Sequence, residues 1–201
     1  MFRSVDSYYR FHARIYDITR WTILFGRKKL IRLLPNLPNG ARILDVGCGT
    51  GAHLKWLLEI YPSAQIIAVD QSKEMLKIAK SKIKDDRVTF FQSNVFNLDL
   101  GDTKFNLVVG SYSLTIIQQY EKLLPLIHKL LLPNGIVAIV DFDHTPFPWF
   151  KKWMKWNHVQ LSPELFVRLC ELFPKNIRSS KRAYLGLWTY SIFTGFKSHN
   201  L

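Results

Sequence analysis

From Arg42 onward, short apolar runs alternate with amphipathic stretches. Arg42-Ile43-Leu44-Asp45-Val46 is a β-rich run, followed by a glycine loop and a helix over His53–Ile60 that must stop before Pro62. Gln65–Asp70 reads as the second strand. Ser72–Lys84 reads as the next helix, with Met75, Leu76, Ile78 and Ala79 on its buried side, and Val88–Phe91 as the third strand. Phe105–Ser111 is the fourth, and Glu121–Leu132 a helix ended by Pro133-Asn134-Gly135. Ile136–Asp141 is the most apolar run, as suits a central strand covered on both faces. This alternation predicts an α/β fold, an open and mostly parallel sheet wrapped by helices.

The two ends follow other rhythms. Residues 4–34 read as one or two helices with a break at Gly26, and Pro35–Gly40 is a turn cluster that closes this helical cap over residues 1–35. Pro148–His158 and Pro163–Phe173 read as helices. Ile177–Leu185 and Leu187–Phe196 then alternate as two strands joined near Gly186, which predicts a terminal antiparallel hairpin. There is no internal repeat or linker, and 201 residues suit one core, so residues 1–201 are expected to form a single domain.

Charge sharpens this division. The formal net charge is +13, but residues 36–143 carry 11 basic and 11 acidic side chains and are neutral. Residues 1–35 carry eight Lys and Arg against Asp6 and Asp17, and residues 144–201 carry nine against Glu164 and Glu171. Neutral middle and basic flanks imply one surface that meets polyanions. No run approaches the length of a membrane span, and Met1–Asp6 leads into no secretory apolar region. Cys48 and Cys170 lack metal-ligand spacing and read as reduced thiols of a cytoplasmic protein, so no metal site is expected.

The chemistry concentrates in Ile43-Leu44-Asp45-Val46-Gly47-Cys48-Gly49-Thr50-Gly51. Glycines after the first strand of such a sheet let backbone approach a ligand. Gly47-x-Gly49-x-x-Ala52 also passes for a dinucleotide loop. Asp45 separates the two readings: a carboxylate there repels a pyrophosphate and attracts a methionine ammonium and sulfonium. Asp70, at the end of the second strand, suits ribose hydroxyls in either case.

Ile43–Gly51 resembles the glycine motif of the seven-stranded, class I S-adenosylmethionine-dependent methyltransferases. The resemblance continues through Asp70, Gly110-Ser111-Tyr112 and Leu132-Pro133-Asn134-Gly135. It implies a Rossmann-like, three-layer α/β/α sandwich with a mostly parallel seven-stranded sheet, and S-adenosylmethionine as cofactor with S-adenosylhomocysteine as product. The implied contacts are Tyr16, Arg20, Asp45, Gly47, Cys48, Gly49, Gly51, Asp70, Gln71, Met75, Asn94, Val95 and Ser111. Asn94 stands where the family often has an aspartate that accepts the adenine amino group; its amide oxygen can also accept. Val95 would pack on the adenine, and Met75 is also a core residue of its helix.

The acceptor is a separate matter. Methylases of exocyclic base amines and glutamine amides resemble one another in an Asn/Asp-Pro-Pro-aromatic motif, and Gly110-Ser111-Tyr112-Ser113-Leu114 has no proline. Trp149-Phe150-Lys151-Lys152-Trp153-Met154-Lys155-Trp156 is basic, amphipathic and tryptophan-rich, so residues 144–175 suit a bilayer interface; equally, the tryptophans could pack on the sheet. Tyr9–Arg27 resembles the N-terminal signature of the bacterial betaine-lipid methyltransferases, which trimethylate the amine of diacylglyceryl-homoserine. The likeness extends to Ser111–Leu114, Val140–Phe142 and Trp149–Trp156. It implies that Tyr16 closes over the cofactor and that Arg20 pairs a carboxylate. His12 and Tyr112, then His144, are candidates to shape the amine pocket or take its proton. The implied partner is a lipid at the anionic inner face of the cytoplasmic membrane, with an upstream aminocarboxypropyl-transferring enzyme in the same pathway. Phosphatidylethanolamine N-methylation, RNA methylation and cofactor binding without transfer stay open as alternatives; nucleic acid is disfavoured by the absence of a separate RNA-binding module.

Overall fold

A computed structural model describes residues 24–117 and 119–198. The helical cap expected over residues 4–34 therefore falls mostly outside the described residues. Its last turn, α1 (Arg27–Arg32), begins at the expected break, where Gly26 has φ 82°.

The alternating segments fold as strand and helix in turn. They are β1 (Arg42–Val46), α2 (Leu54–Ile60), β2 (Gln65–Asp70), α3 (Lys73–Lys82), β3 (Val88–Gln92), β4 (Phe105–Ser111), α4 (Tyr120–Leu130) and β5 (Leu131–Phe142). After them come α5 (Pro148–Trp156), α6 (Pro163–Leu172), β6 (Lys175–Ala183) and β7 (Trp188–Phe196). The seven strands form one sheet in the order β3-β2-β1-β4-β5-β7-β6. The first five are parallel, and β7 runs antiparallel to both β5 and β6. Parallel neighbours need crossovers, and the intervening helices supply them.

Alternate side chains of the parallel strands enter two cores. Ile43, Ile66 and Leu107 pack with Leu30, Leu54, Leu57, Leu76, Phe150 and Met154, which places α1, α2, α3 and α5 on one face. Leu44, Val69 and Val108 pack with Leu123, Ile127, Leu165 and Phe166, which places α4 and α6 on the other. Three layers result, with apolar residues buried on both sides of β4 and β5.

The expected start of the fifth strand needs correction. It begins at Leu131, not Ile136. Phe105 pairs with Leu131 and Leu107 with Ile136, so five residues of β5 span what two cover on β4. Pro133-Asn134-Gly135 is an excursion inside the strand, with Asn134 at φ 59°. Lys197 holds it: the Asn134 N–H donates to the Lys197 carbonyl at 3.1 Å, and the Gly135 carbonyl accepts from the Lys197 N–H at 2.9 Å. The Lys197 ammonium donates to the carbonyls of His128 and Leu131, covering the end of α4.

The hairpin expected near Gly186 is present. Its tip is a 3₁₀ turn, Tyr184–Gly186, with left-handed backbone at Tyr184, Leu185 and Gly186 (φ 46°, 56° and 98°).

Candidate active site

A cavity of about 330 Å³ lies at the carboxyl ends of β1, β2 and β4. Between β1 and β4 the strand order reverses, and open α/β sheets bind ligands at that point. Its floor is the glycine loop. The Gly47 and Cys48 N–H groups both donate to the Val69 carbonyl, which turns the chain off β1 toward β2. At Gly47 (φ 71°) a Cβ would lie 2.4 Å from the Ser113 Cβ, so no side chain fits. At Gly49 (φ 56°) a Cβ would meet nothing within 4 Å, leaving bare backbone for close approach by a ligand. Gly51 differs from the expectation. It does not line the cavity; its Cα faces Leu54 and Ala79, where α2 and α3 meet.

Asp70 closes the second strand. Its Oδ2 accepts the Gly49 N–H and its Oδ1 the Ser72 N–H, each at 2.8 Å, so the carboxylate ties loop to helix. Burial pushes its pKa above the ordinary carboxylate value. Hydroxyl donors from a ribose would favour the charged form at that position. Gln71, Met75, Asn94 and Val95 complete this side. The Asn94 amide oxygen accepts the Phe96 N–H at 3.1 Å and starts a 3₁₀ turn over Val95–Asn97.

Asp45 is also placed differently from expectation. It is fully buried and does not line the cavity. His53, which does, stands between them with Nε2 2.9 Å from Asp45 Oδ1. The pair is close but poorly aligned: neither Asp45 oxygen nor that nitrogen completes a hydrogen bond. Buried polar atoms without hydrogen bonds are costly, and His53 lines the cavity with Asp45 against it, so a ligand ammonium near His53 would lower the cost.

The opposite wall follows β4. The Arg27 Nε donates to the Ser111 Oγ at 2.9 Å, and its guanidinium lies 5.7 Å from the Tyr112 ring centre. The Tyr112 hydroxyl donates to the Phe25 carbonyl at 2.6 Å, and Ser113 Oγ donates to the Val46 carbonyl. Buried Asp141 fixes this turn by accepting the N–H groups of Leu114 and Thr115 and the Thr115 hydroxyl; it also accepts the Phe142 N–H. These bonds hold Tyr112 at φ 55°, a conformation uncommon for a side chain of this size.

The structure brings Gly47, Cys48, Gly49, Asp70, Gln71, Met75, Asn94, Val95, Ser111 and Tyr112 to one cavity. His12, Tyr16 and Arg20 lie outside the described residues. The proton-accepting role considered for Tyr112 is disfavoured, because burial and then Asp141 push the phenol far up and its hydroxyl is already donated. His144 is exposed, 4.0 Å from Asp143, and is not in the wall. The Cys48 thiol is likewise pushed up, by burial and then by Asp45 and Asp70, so it stays neutral. Arg27 and His53 were not anticipated. Arg27 directly follows the helix break, whereas nothing in the spacing of His53 announces its contact with Asp45.

Bare glycine backbone, an acid at the end of β2 and the buried Asp45–His53 pair, whose facing atoms complete no hydrogen bond, fit an adenosyl amino acid with an ammonium group. A family model described as a methyltransferase domain matches residues 37–187. The chain belongs to that family, the S-adenosylmethionine-dependent methyltransferases. Bound there, the cofactor supplies an electrophilic methyl on sulfur.

Among relatives, the chain is 33% identical over 130 residues to a demethylmenaquinone methyltransferase of Lactococcus lactis, covering 63% of this chain and 51% of that one. It is 26% identical over 163 residues to a malonyl-[acyl-carrier protein] O-methyltransferase of Bacillus cytotoxicus, covering 74% and 56%. The chain spans about half the length of the curated relatives it matches. A phosphoethanolamine N-methyltransferase 2 of Haemonchus contortus, solved with phosphomonomethylethanolamine and S-adenosylhomocysteine, superposes with TM-score 0.81 at 16% identity over 98% of this chain and 61% of that one. At that identity the likeness is one of fold.

Proposed function

We propose that this methyltransferase acts on the amine of a lipid headgroup, diacylglyceryl-homoserine, and converts it to the trimethylated betaine lipid. One observation carries the reading. On α5 the side chains of Trp149, Trp153 and Trp156 are 63%, 44% and 81% exposed, with Lys151, Lys152 and Lys155 exposed among them. The helix is anchored by Phe150 and Met154 instead, so the tryptophans do not form its sheet-facing side. Tryptophan and lysine together on one exposed helix suit the boundary between headgroups and acyl chains. No helix among the described residues is long and apolar enough to cross a membrane, so such contact would be peripheral. The likeness of Tyr9–Arg27 to the betaine-lipid enzymes narrows the headgroup. The Haemonchus neighbour, an N-methyltransferase on the same fold, supports an amine acceptor.

The reaction is a direct displacement. The amine lone pair forms the new N–C bond, the methyl–sulfur bond breaks with its electrons kept by sulfur, and the methylated nitrogen loses a proton to water before each of the two later transfers. The chain's part is to align and to exclude water. Asp70 and the glycine backbone orient one reactant. The Ser111–Ser113 turn, locked by Asp141, shapes the other side, and the Arg27 guanidinium places positive charge where a headgroup carboxylate would be matched. In this reading the substrate comes from an aminocarboxypropyl-transferring enzyme at the inner face of the cytoplasmic membrane.

The test is incubation with labelled S-adenosylmethionine and lipid extracts from cells with and without diacylglyceryl-homoserine. Label only in the first extract is expected. Label in phosphatidylethanolamine alone, or in neither extract, would overturn the assignment.

A further inference from the structure

The β6–β7 hairpin tip projects from the same end of the sheet as the cavity. β7 runs antiparallel to β5, and Phe142, the last residue of β5, pairs with Tyr190. Residues 183–188 therefore extend past the carboxyl end of β5, and α5 starts from that same end. The two elements touch: the Phe150 and Trp188 rings stack at 5.5 Å with 10° between their planes. Trp188 lies 4.9 Å from Tyr184, and Tyr184 lies 5.6 Å from Phe25. Ring contacts thus run from α5 to the tip and on to Phe25, whose carbonyl accepts the Tyr112 hydroxyl in the cavity wall.

At the tip the Leu185 side chain is fully exposed, with left-handed backbone that a leucine seldom adopts. Tyr184 is 54% exposed beside it, and Lys181 and Arg182 are exposed just before it. A lone exposed leucine on a soluble surface is unremarkable in itself. Here it is the outermost point of a tip that joins the exposed tryptophans and lysines of α5, and the apolar and basic groups repeat the pattern of that helix.

We infer that the hairpin tip is a second insertion point for an anionic bilayer, acting with α5 to face the cavity mouth toward the lipid. The inference rests on the lipid reading above. Leu185 and Tyr184 enter the headgroup–acyl boundary, while Lys181 and Arg182 meet anionic headgroups together with the lysines of α5. One amphipathic helix fixes contact but leaves the protein free to roll about its axis. A second point to one side removes that freedom.

The experiment compares binding to mixed phosphatidylcholine–phosphatidylglycerol vesicles and to phosphatidylcholine vesicles for the wild type, Leu185→Asn, Leu185→Asp and Trp156→Ala. Asn and Asp tolerate left-handed backbone, so these substitutions leave the turn intact. S-adenosylhomocysteine affinity, measured by calorimetry, is expected to be unchanged in all of them. Leu185→Asp is expected to weaken binding to mixed vesicles by about tenfold and Leu185→Asn by somewhat less, since the first adds repulsion to lost apolar burial. Wild-type binding by both Leu185 variants, alongside weakened binding by Trp156→Ala, would overturn the second insertion point and leave the lipid reading standing. Failure of the wild type to bind either vesicle would overturn the membrane reading and the tip with it.

Discussion

The β1–β4 side of the sheet and the β5–β7 side expose opposite chemistries at the same edge. On the first, glycines, small hydroxyls and one acid line a cavity together with Arg27, His53 and Tyr112. On the second, aromatic rings and lysines point outward from α5 and the hairpin tip. The first side is tightly constrained, because Gly47 leaves no room for even one carbon and Asp70 already bonds two backbone donors. The second tolerates change in its outer atoms, because they touch little of the protein. Recognition of a common cofactor needs fixed geometry, whereas contact with a fluid surface needs composition and direction.

The contrast predicts graded responses. Gly47→Val should be the most severe: with φ 71° and Ser113 in the way, it should abolish S-adenosylhomocysteine binding in calorimetry and cost about 3 kcal/mol of stability or more. Normal binding by that variant would break the comparison outright. Asp70→Ala removes a charged acceptor of two backbone donors and of the expected ribose contacts. Cofactor affinity should fall about a hundredfold, with a smaller loss of melting temperature.

Asp141→Asn sits between the two sides. It loses part of a four-donor grip on the turn after β4, and denaturant unfolding should register a cost of about 2 kcal/mol. Burial raises the Asp141 pKa from 3.8 to about 6 despite those donors. A raised folded-state pKa favours the protonated form, so this contribution to stability is present below 3.8 and is lost as pH rises through about 6. Melting curves across that interval should show a downward slope with pH from this group in the wild type, and the Asn variant should lack it. At the far end, Trp149→Ala with Trp156→Ala should change stability by no more than about 0.5 kcal/mol while weakening binding to anionic vesicles. A large loss of stability would show that these rings serve the fold.

The strands that were legible in sequence are those whose apolar runs end at a glycine, an acid or a serine. β1, β2 and β4 have the expected limits because Gly47, Asp70 and Ser111 end runs buried from both sides. Ser72 was included in the helix and instead caps α3, accepting the Met75 N–H. β5 was misjudged at its start because Pro-Asn-Gly signals a turn wherever it occurs, and only the distant Lys197 holds it inside a strand. Asp45 was assigned a direct part from its place before the glycines, but His53, the residue before α2, sits against it and lines the cavity instead. On α5 the spacing sets the tryptophans beside Phe150 and Met154, so either set could face the sheet. The core on that face, where the last strand brings Trp188 to stack on Phe150, takes Phe150 and Met154 inward.

The placement of β7 between β5 and β6 also bears on how the chain folds. β6 is made first but has no partner until β7 exists, and β5 keeps an unpaired edge for the same period. Most of the parallel sheet can form while that edge is open, so a growing chain passes through a stage in which an apolar strand is exposed to other chains. The arginines and lysines at Lys175, Arg178, Lys181 and Arg182 make the waiting strand a poor partner for its own copies.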